Sequence, residues 1–331
     1  MPRITIIGTG GTIAGQAASD VNTVSYKAGV LDVDQLLKCV PSLGDIATIQ
    51  AEQIASLDSK DMTFDLWITL AQRINTLLRS DDADGVVITH GTDTLEETGF
   101  FLNLILKSVK PVVLTAAMRP STALSADGPL NLYEAVLVAG NRFSCGQGVL
   151  IVMNNEIHSP RYITKTNTTA VQTFKSFDDR LGLVSSSQVI FKHSVARRHT
   201  TQSQFCVAPL LCAPMPWVEI IMSYTEPSEW LIDKLVEAGV KGIVIAGTGN
   251  GTIHTKLQEA AVNAVKKGVA VVRTTRVFSG DVMHHGSVND DQLGFLTTSF
   301  LNPWKARVLL MLILAHDIKE YHERQSIFNN Y

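Results

Sequence analysis

Two α/β domains built on parallel sheets are the fold class that this sequence predicts. Short apolar runs alternate with stretches of helical spacing from Ile4 to Met153. The alternation lapses over residues 194–216 and resumes from Val218 to Thr274. Strands that alternate with helices build parallel sheets covered on both faces. A break rich in Pro, Ser, Thr and Gln reads as a linker between domains.

Ile4-Thr5-Ile6-Ile7 is a short buried strand that runs into glycines. Val30 to Val40 has helical spacing, and Ile46 to Ile54 alternates as a strand does. Asp61 to Leu78 is an amphipathic helix, with Phe64, Leu66, Trp67, Leu70, Ile74 and Leu77 near one face. Val86-Val87-Ile88 is another buried strand. The helix from Asp93 to Leu106 follows it, and Asp93-x-x-Glu96 reads as a capping box. Pro111 to Leu114 is a strand, Gly128 to Ala139 a helix and Gly148 to Met153 a strand. Beyond the linker come strands at Val218–Met222, Gly242–Ala246 and Val269–Thr274, with helices at Ser228–Ala238 and Thr255–Lys267. Asn302-Pro303 opens a closing helix, with the proline suited to its first turn. The expected boundaries are 1–193 for an N-terminal catalytic domain, 194–216 for the linker and 217–331 for a C-terminal domain. No internal repeat is visible.

The 331 residues are 45% hydrophobic and 18% charged, as in a globular protein with a substantial core. A formal charge of −3 gives no reason to expect nucleic acid or an anionic membrane as a partner. No run of about 18 apolar residues marks a membrane span. The chain enters its first strand after Met1-Pro2-Arg3 with no signal peptide. The expected compartment is therefore the cytoplasm, or the periplasm if a leader has been removed. Cys39, Cys145, Cys206 and Cys212 match neither a zinc site nor a redox pair and read as free thiols.

The chemistry concentrates in two threonine turns. Gly8-Thr9-Gly10-Gly11-Thr12-Ile13 follows the first apolar run, and Thr89-His90-Gly91-Thr92-Asp93-Thr94 follows a later one. In open parallel sheets, ligands bind beyond the carboxyl ends of the strands, so both turns can share one crevice. Glycines in the first turn allow close approach and expose amide N–H groups suited to an oxyanion. The same glycines also suit a plain tight turn. Asp93 suits a helix cap as well as a substrate ammonium. Lys165, in Thr164-Lys165-Thr166-Asn167-Thr168-Thr169, is a candidate base for Thr92 if the crevice closes over it. Two hydroxyls, a carboxylate and an amine are sufficient for nucleophilic attack on an amide.

Competing readings fit less well. A dinucleotide fingerprint begins at Gly8-x-Gly10, but Ile13 stands at its third glycine position. A P-loop fails because Gln16 and Ala17 follow Gly15 where Lys and Ser/Thr are needed. The nine histidines, including His284-His285, form no HExxH motif, so no metal is expected.

Taken together, the motifs resemble the bacterial-type L-asparaginases, most closely the type II branch. The resemblance spans essentially the whole chain. It rests on Thr9-Gly10-Gly11-Thr12-Ile13-Ala14-Gly15, Ser25-Tyr26-Lys27-Ala28-Gly29, Asp58-Ser59-Lys60-Asp61-Met62 and Ile88 to Thr98. It continues through Ala117-Met118-Arg119-Pro120-Ser121, Ser125 to Tyr133, Thr164 to Thr169, Gly247-Thr248-Gly249-Asn250-Gly251 and Leu301 to Leu310. The resemblance implies a larger N-terminal domain, with a mixed or parallel sheet flanked by helices, and a smaller C-terminal parallel-sheet domain. It implies cofactor-free hydrolysis of L-asparagine to L-aspartate and ammonia, with secondary L-glutaminase activity open. Thr12 would be the nucleophile and Tyr26, on a mobile loop, would polarise it. Thr92, Asp93 and Lys165 would handle protons. Ser59 would bind the α-carboxylate, Asp93 the α-ammonium, and the Ala117 carbonyl would face the leaving amide. The family assembles as a homotetramer, a dimer of dimers, in which a neighbour's Asn250 completes each site. The alternatives are a glutaminase-asparaginase of broad specificity, a non-catalytic amino-acid-binding relative and a nucleotide-binding enzyme.

Three departures from the family pattern stand out. Lys60 replaces the usual Gln or Glu and is expected to turn outward, towards Asp58 or Asp61. Ser287 aligns with a neighbour's glutamate that usually faces Tyr26 and the ammonium, so a charge is lost there. Positions near Leu78 and Ser108 lack the disulfide that periplasmic relatives often carry. With two ammonium-facing groups altered, substrate binding is expected to be weaker than in close relatives. Ser287→Glu should lower KM for L-asparagine in steady-state kinetics; an unchanged or higher KM contradicts this.

Overall fold

The strand Arg3–Gly10 (β1) organises the first unit, because every other parallel strand is placed by its position relative to it. Thr48–Leu57 (β2) pairs on one side of β1, and Gly85–Thr89 (β3) pairs on the other. Val112–Thr115 (β4) and Val149–Met153 (β5) extend the sheet in parallel beyond β3. Glu156–His158 (β6) then turns back antiparallel to β5. Ile163–Lys165 (β7) and Phe174–Ser176 (β8) leave the sheet as a separate two-stranded hairpin. Gly182–Ser185 (β9) and Gln188–Phe191 (β10) close the far edge, giving the order β10-β9-β6-β5-β4-β3-β1-β2. The sheet is thus parallel through β5 and antiparallel beyond.

The computed structural model describes residues 1–80, 82–177 and 179–331. It divides into units Met1–Val207 and Ala208–Tyr331. Residues 194–216 contain this boundary. His199, Thr200 and Phe205 of that stretch are buried, and the Thr200 carbonyl accepts from Lys107 Nζ at 3.3 Å.

Helical spacing in the sequence marks burial well. The helix Phe64–Arg79 buries Trp67, Leu70, Ile74, Leu77 and Leu78, which recur on one face. It begins later than Asp61 because Ser59–Asp61 forms a 3₁₀ turn and Thr63 Oγ1 caps the helix from Leu66 N at 3.2 Å. Trp67 stacks on Phe101 of the helix Leu95–Ile105, with centroids 5.0 Å apart, and its Nε1 donates to Thr98 Oγ1 at 2.8 Å. The helix Gly128–Ala139 packs Leu132, Ala135 and Val136 into a core with Ile4, Ile6, Val87 and Val113.

The second unit is a smaller parallel sheet of Val218–Met222 (β11), Gly242–Gly247 (β12), Ala270–Thr275 (β13) and Phe295–Thr297 (β14), in that order. The helix Pro303–Ala315 packs on it, capped by the Asn302 side chain accepting from Lys305 N at 3.1 Å. Periodicity did not mark β14 or the last helix, Tyr321–Asn330. Among the described residues, no helix is long and apolar enough to cross a membrane, and the four cysteines are free.

Arg273 on β13 and Asp290 are both fully buried and pair bidentately, Nε to Oδ1 at 2.8 Å and Nη2 to Oδ2 at 2.7 Å. The guanidinium also donates to the carbonyls of Asn250 and Met283, both at 2.9 Å. One buried cation therefore ties the loops that bear Asn250 and Met283 to the helix that begins at Asp290. Removing a single partner leaves an uncompensated buried charge, so Asp290→Ala should cost about 3–5 kcal/mol in urea unfolding. A midpoint shift worth under about 1 kcal/mol contradicts this reading of the pair.

Candidate functional site

The strand order 2-1-3-4-5 reverses direction between β1 and β3, and the carboxyl ends of such a pair open a crevice. Register fixes the level of the two ends. Gly8 pairs with Thr89, so the turns after β1 and β3 leave the sheet side by side. Thr9 Oγ1 donates to the Thr89 carbonyl at 2.8 Å and joins the strands where their ladder ends.

Beyond the strands the backbones touch. Gly11 has φ +80°, and a Cβ there would lie 2.4 Å from Cα and N of Gly91. A Cβ on Gly91 would lie 2.5 Å from Ser59 Oγ. Both positions therefore require glycine, the first for conformation as well as space. Their next residues are Thr12 and Thr92. The two turns are brought together by backbone contact, as the shared-crevice expectation requires.

Thr12 sits at the start of a 3₁₀ turn, and its Oγ1 is 2.6 Å from the Tyr26 hydroxyl. Tyr26 arrives on a loop whose base is closed by Gln16 and Lys27, which exchange backbone bonds of 3.0 and 2.9 Å. Lys165, at the end of β7, donates from Nζ to Thr92 Oγ1 at 2.9 Å and to Asp93 Oδ1 at 2.6 Å. Lys165 is 22% exposed and Asp93 54% exposed, so the pair spans the wall and the mouth of the crevice. Tyr26, Thr92, Asp93 and Lys165 line one cavity of about 150 Å³. Thr23, Val24, Met118, Thr168 and Thr169 complete its walls. Thr12 is not among the lining residues; its hydroxyl touches Tyr26, which is.

Ser59 is buried behind this wall. Its Oγ accepts from Asp93 N at 3.2 Å and its carbonyl accepts from Thr94 Oγ1 at 2.8 Å. Ala117 is buried, and the segment after it is held by Asp127, whose carboxylate accepts from Met118 N and Arg119 N, each at 2.9 Å. Lys60 turns outward as expected, with Nζ 2.9 Å from Asp58 and 3.2 Å from Asp61. Asn250 and Ser287 lie in the second unit. Asn250 Oδ1 accepts from Met283 N at 2.8 Å, and Ser287 Oγ accepts from Arg273 Nη1 at 3.2 Å.

One expectation is corrected. The helix after the second turn is capped at Thr94, and no capping box forms. Glu96 instead accepts from Thr164 Oγ1 at 2.8 Å and from Lys165 N at 3.3 Å. Two further groups went unread in the sequence. Asp127 could have been suspected from the Asp-Gly-Pro start of its helix. His90 carried no signal beyond its place in the motif. Its imidazole is fully buried, and Nδ1 lies 2.7 Å from the Gly91 carbonyl. A carbonyl only accepts, so Nδ1 carries the hydrogen, and Nε2 is left buried without a protein partner. Burial, opposed in part by that bond, lowers the His90 pKa to about 4.

Comparisons with known proteins follow the same two units. Residues 3–197 match the family described as asparaginase, N-terminal, and residues 217–328 match the glutaminase/asparaginase C-terminal domain. The chain is 47% identical over 333 residues to L-asparaginase 2 of Bacillus subtilis (strain 168), covering 100% of this chain and 87% of that protein. It is 45% identical over 332 residues to L-asparaginase 2 of Escherichia coli (strain K12), covering 100% and 94%. A crystal structure described as a probable cytoplasmic L-asparaginase from Campylobacter jejuni superposes with a TM-score of 0.96 at 45% identity, covering 100% of both chains.

The buried imidazole carries a pH prediction. Above pH 6.5, His90 is neutral whether folded or unfolded. Between 6.5 and about 4 the unfolded chain takes up a proton that the folded one refuses, so stability falls as pH falls. The loss is complete below the folded value and amounts to roughly 3 kcal/mol. His90→Gln should flatten the dependence of the urea midpoint between pH 7 and 4.5; an unchanged slope contradicts this.

Proposed function

This chain belongs to the asparaginase family, and on that premise we propose that it hydrolyses L-asparagine to L-aspartate and ammonia through an ester on Thr12. The observation that carries the reading is the convergence of two hydrogen-bonded groups on one small cavity: Thr12 with Tyr26, which lines it, and Thr92 with Lys165 and Asp93. A lone threonine hydroxyl is a poor nucleophile, and an adjacent group that takes its proton activates it.

In this account the Thr12 oxygen adds to the carboxamide carbon while its proton passes to the Tyr26 oxygen, which releases its own phenolic proton in the same step. The proton is handed on to the leaving nitrogen, the C–N bond breaks and ammonia departs. Water then adds to the Thr12 ester and gives up its proton through Thr92 and Lys165. The ester C–O bond breaks, the proton taken from water is returned to the Thr12 oxygen to restore its hydroxyl, and aspartate leaves. The Asp93 carboxylate faces the substrate ammonium, Ser59 lies towards the α-carboxylate, and the Ala117 carbonyl takes the amide N–H. Tyr26 covers Thr12 and must shift aside as the amide enters.

Secondary L-glutaminase activity belongs to the same proposal. One methylene in a pocket discriminates by only about 1–3 kcal/mol, and a matched domain is described for both activities. A homotetramer in which a neighbour's Asn250 and Ser287 complete each site, and a cytoplasmic location, also belong to it. The outward Lys60 adds no charge of its own beside the ammonium position.

Ammonia release from L-asparagine tests the reading. Thr12→Ala and Thr92→Val should each lower kcat by at least about 1,000-fold while the fold is kept. Binding of asparagine without ammonia release by the unaltered protein would identify a binding protein instead.

A further inference from the structure

We infer that Glu96 and Thr164 are positioning residues that set Lys165 against Thr92, an inference that rests on the amide-hydrolysis reading above. Lys165 stands at the end of β7, in a hairpin with β8 outside the eight-stranded sheet. No ladder of that sheet fixes where the lysine backbone lies. Within the hairpin Lys165 pairs with Phe174, and Glu96 supplies a contact that ties it back to the second threonine turn.

Glu96 is 4% exposed and lies in the first turn of the helix Leu95–Ile105, three residues beyond Asp93. A carboxylate is favoured at a helix start, and this one also reaches the β7 hairpin. Its Oε1 accepts from Thr164 Oγ1 at 2.8 Å and from Lys165 N at 3.3 Å. Thr164 is itself 3% exposed. The same short segment, residues 92–96, therefore grips Lys165 at both ends. Its carboxylate holds the backbone, and Thr92 Oγ1 and Asp93 Oδ1 hold the ammonium at 2.9 and 2.6 Å.

The consequence is a closed ring of contacts. A lysine side chain loses substantial rotamer freedom when ordered, and it transfers a proton only within hydrogen-bond reach of its partner. Anchoring the Lys165 amide to the segment that carries Thr92 fixes that reach. Hydrogen bonds to an ionised acceptor are stronger than neutral ones, so a buried glutamate suits the task. Glu96 touches neither of the reacting hydroxyls and acts through Lys165.

Steady-state hydrolysis of L-asparagine by Glu96→Leu, Glu96→Gln and Thr164→Val tests the inference. Glu96→Leu and Thr164→Val should lower kcat at least about 10-fold while KM stays within about threefold, because proton transfer suffers more than binding. Glu96→Gln should recover most of the lost kcat, since its amide oxygen still accepts from both donors. If Glu96→Leu fails to fold, Thr164→Val, of matched size, decides alone. Values of kcat within about twofold of wild type, or losses carried by KM alone, overturn the inference but leave the functional reading intact. A wild-type protein that releases no ammonia overturns both.

Discussion

The close approach of two glycines is the constraint on which the rest of this structure depends. Gly11 and Gly91 lie on turns some eighty residues apart in sequence, and no Cβ fits between them. Gly91 is pressed against Ser59 in the same way, so three distant segments share one small volume. Thr12 and Thr92 follow directly from this contact. Their separation is set by backbone against backbone, the least adjustable kind of packing. A side chain at either glycine would part the turns and separate the two hydroxyls.

Around that contact the polar groups divide into two relays. Tyr26 reaches Thr12 from a loop tied at its base by Gln16 and Lys27, so the partner of the proposed nucleophile is carried on a loop and not on the sheet. Lys165 reaches Thr92 and Asp93 from a hairpin clamped by buried Glu96, so the second relay is held more rigidly. That asymmetry fits a site that must admit its substrate past one wall and keep the other fixed. Buried ionised groups recur in the second unit, where Arg273 gathers the loops bearing Asn250, Met283 and Ser287.

The alternating strands and helices of the parallel region were legible, because apolar runs and helical spacing report burial on a regular element. The helix Gly128–Ala139 and the strand Val218–Met222 fall where periodicity places them. The strands β6 to β10 were not, since three- and four-residue strands such as Ile163–Lys165 carry too little pattern. The threonine turns were legible because strand ends, glycines and hydroxyls coincide in sequence. Glu96 was misread as a cap, because its partner Thr164 is close only in space. His90 was silent for a related reason: its neutral state follows from complete burial, which no local pattern announces.

The central claim is that Thr12, and not Thr92, carries the covalent intermediate. Rapid acid quenching of Thr92→Val during turnover of L-asparagine, followed by peptide mass spectrometry, tests it most directly. Slowed hydrolysis of the ester should leave an aspartyl adduct on the peptide that contains Thr12. An adduct elsewhere, or slow ammonia release with no adduct on Thr12 at any time, contradicts the account.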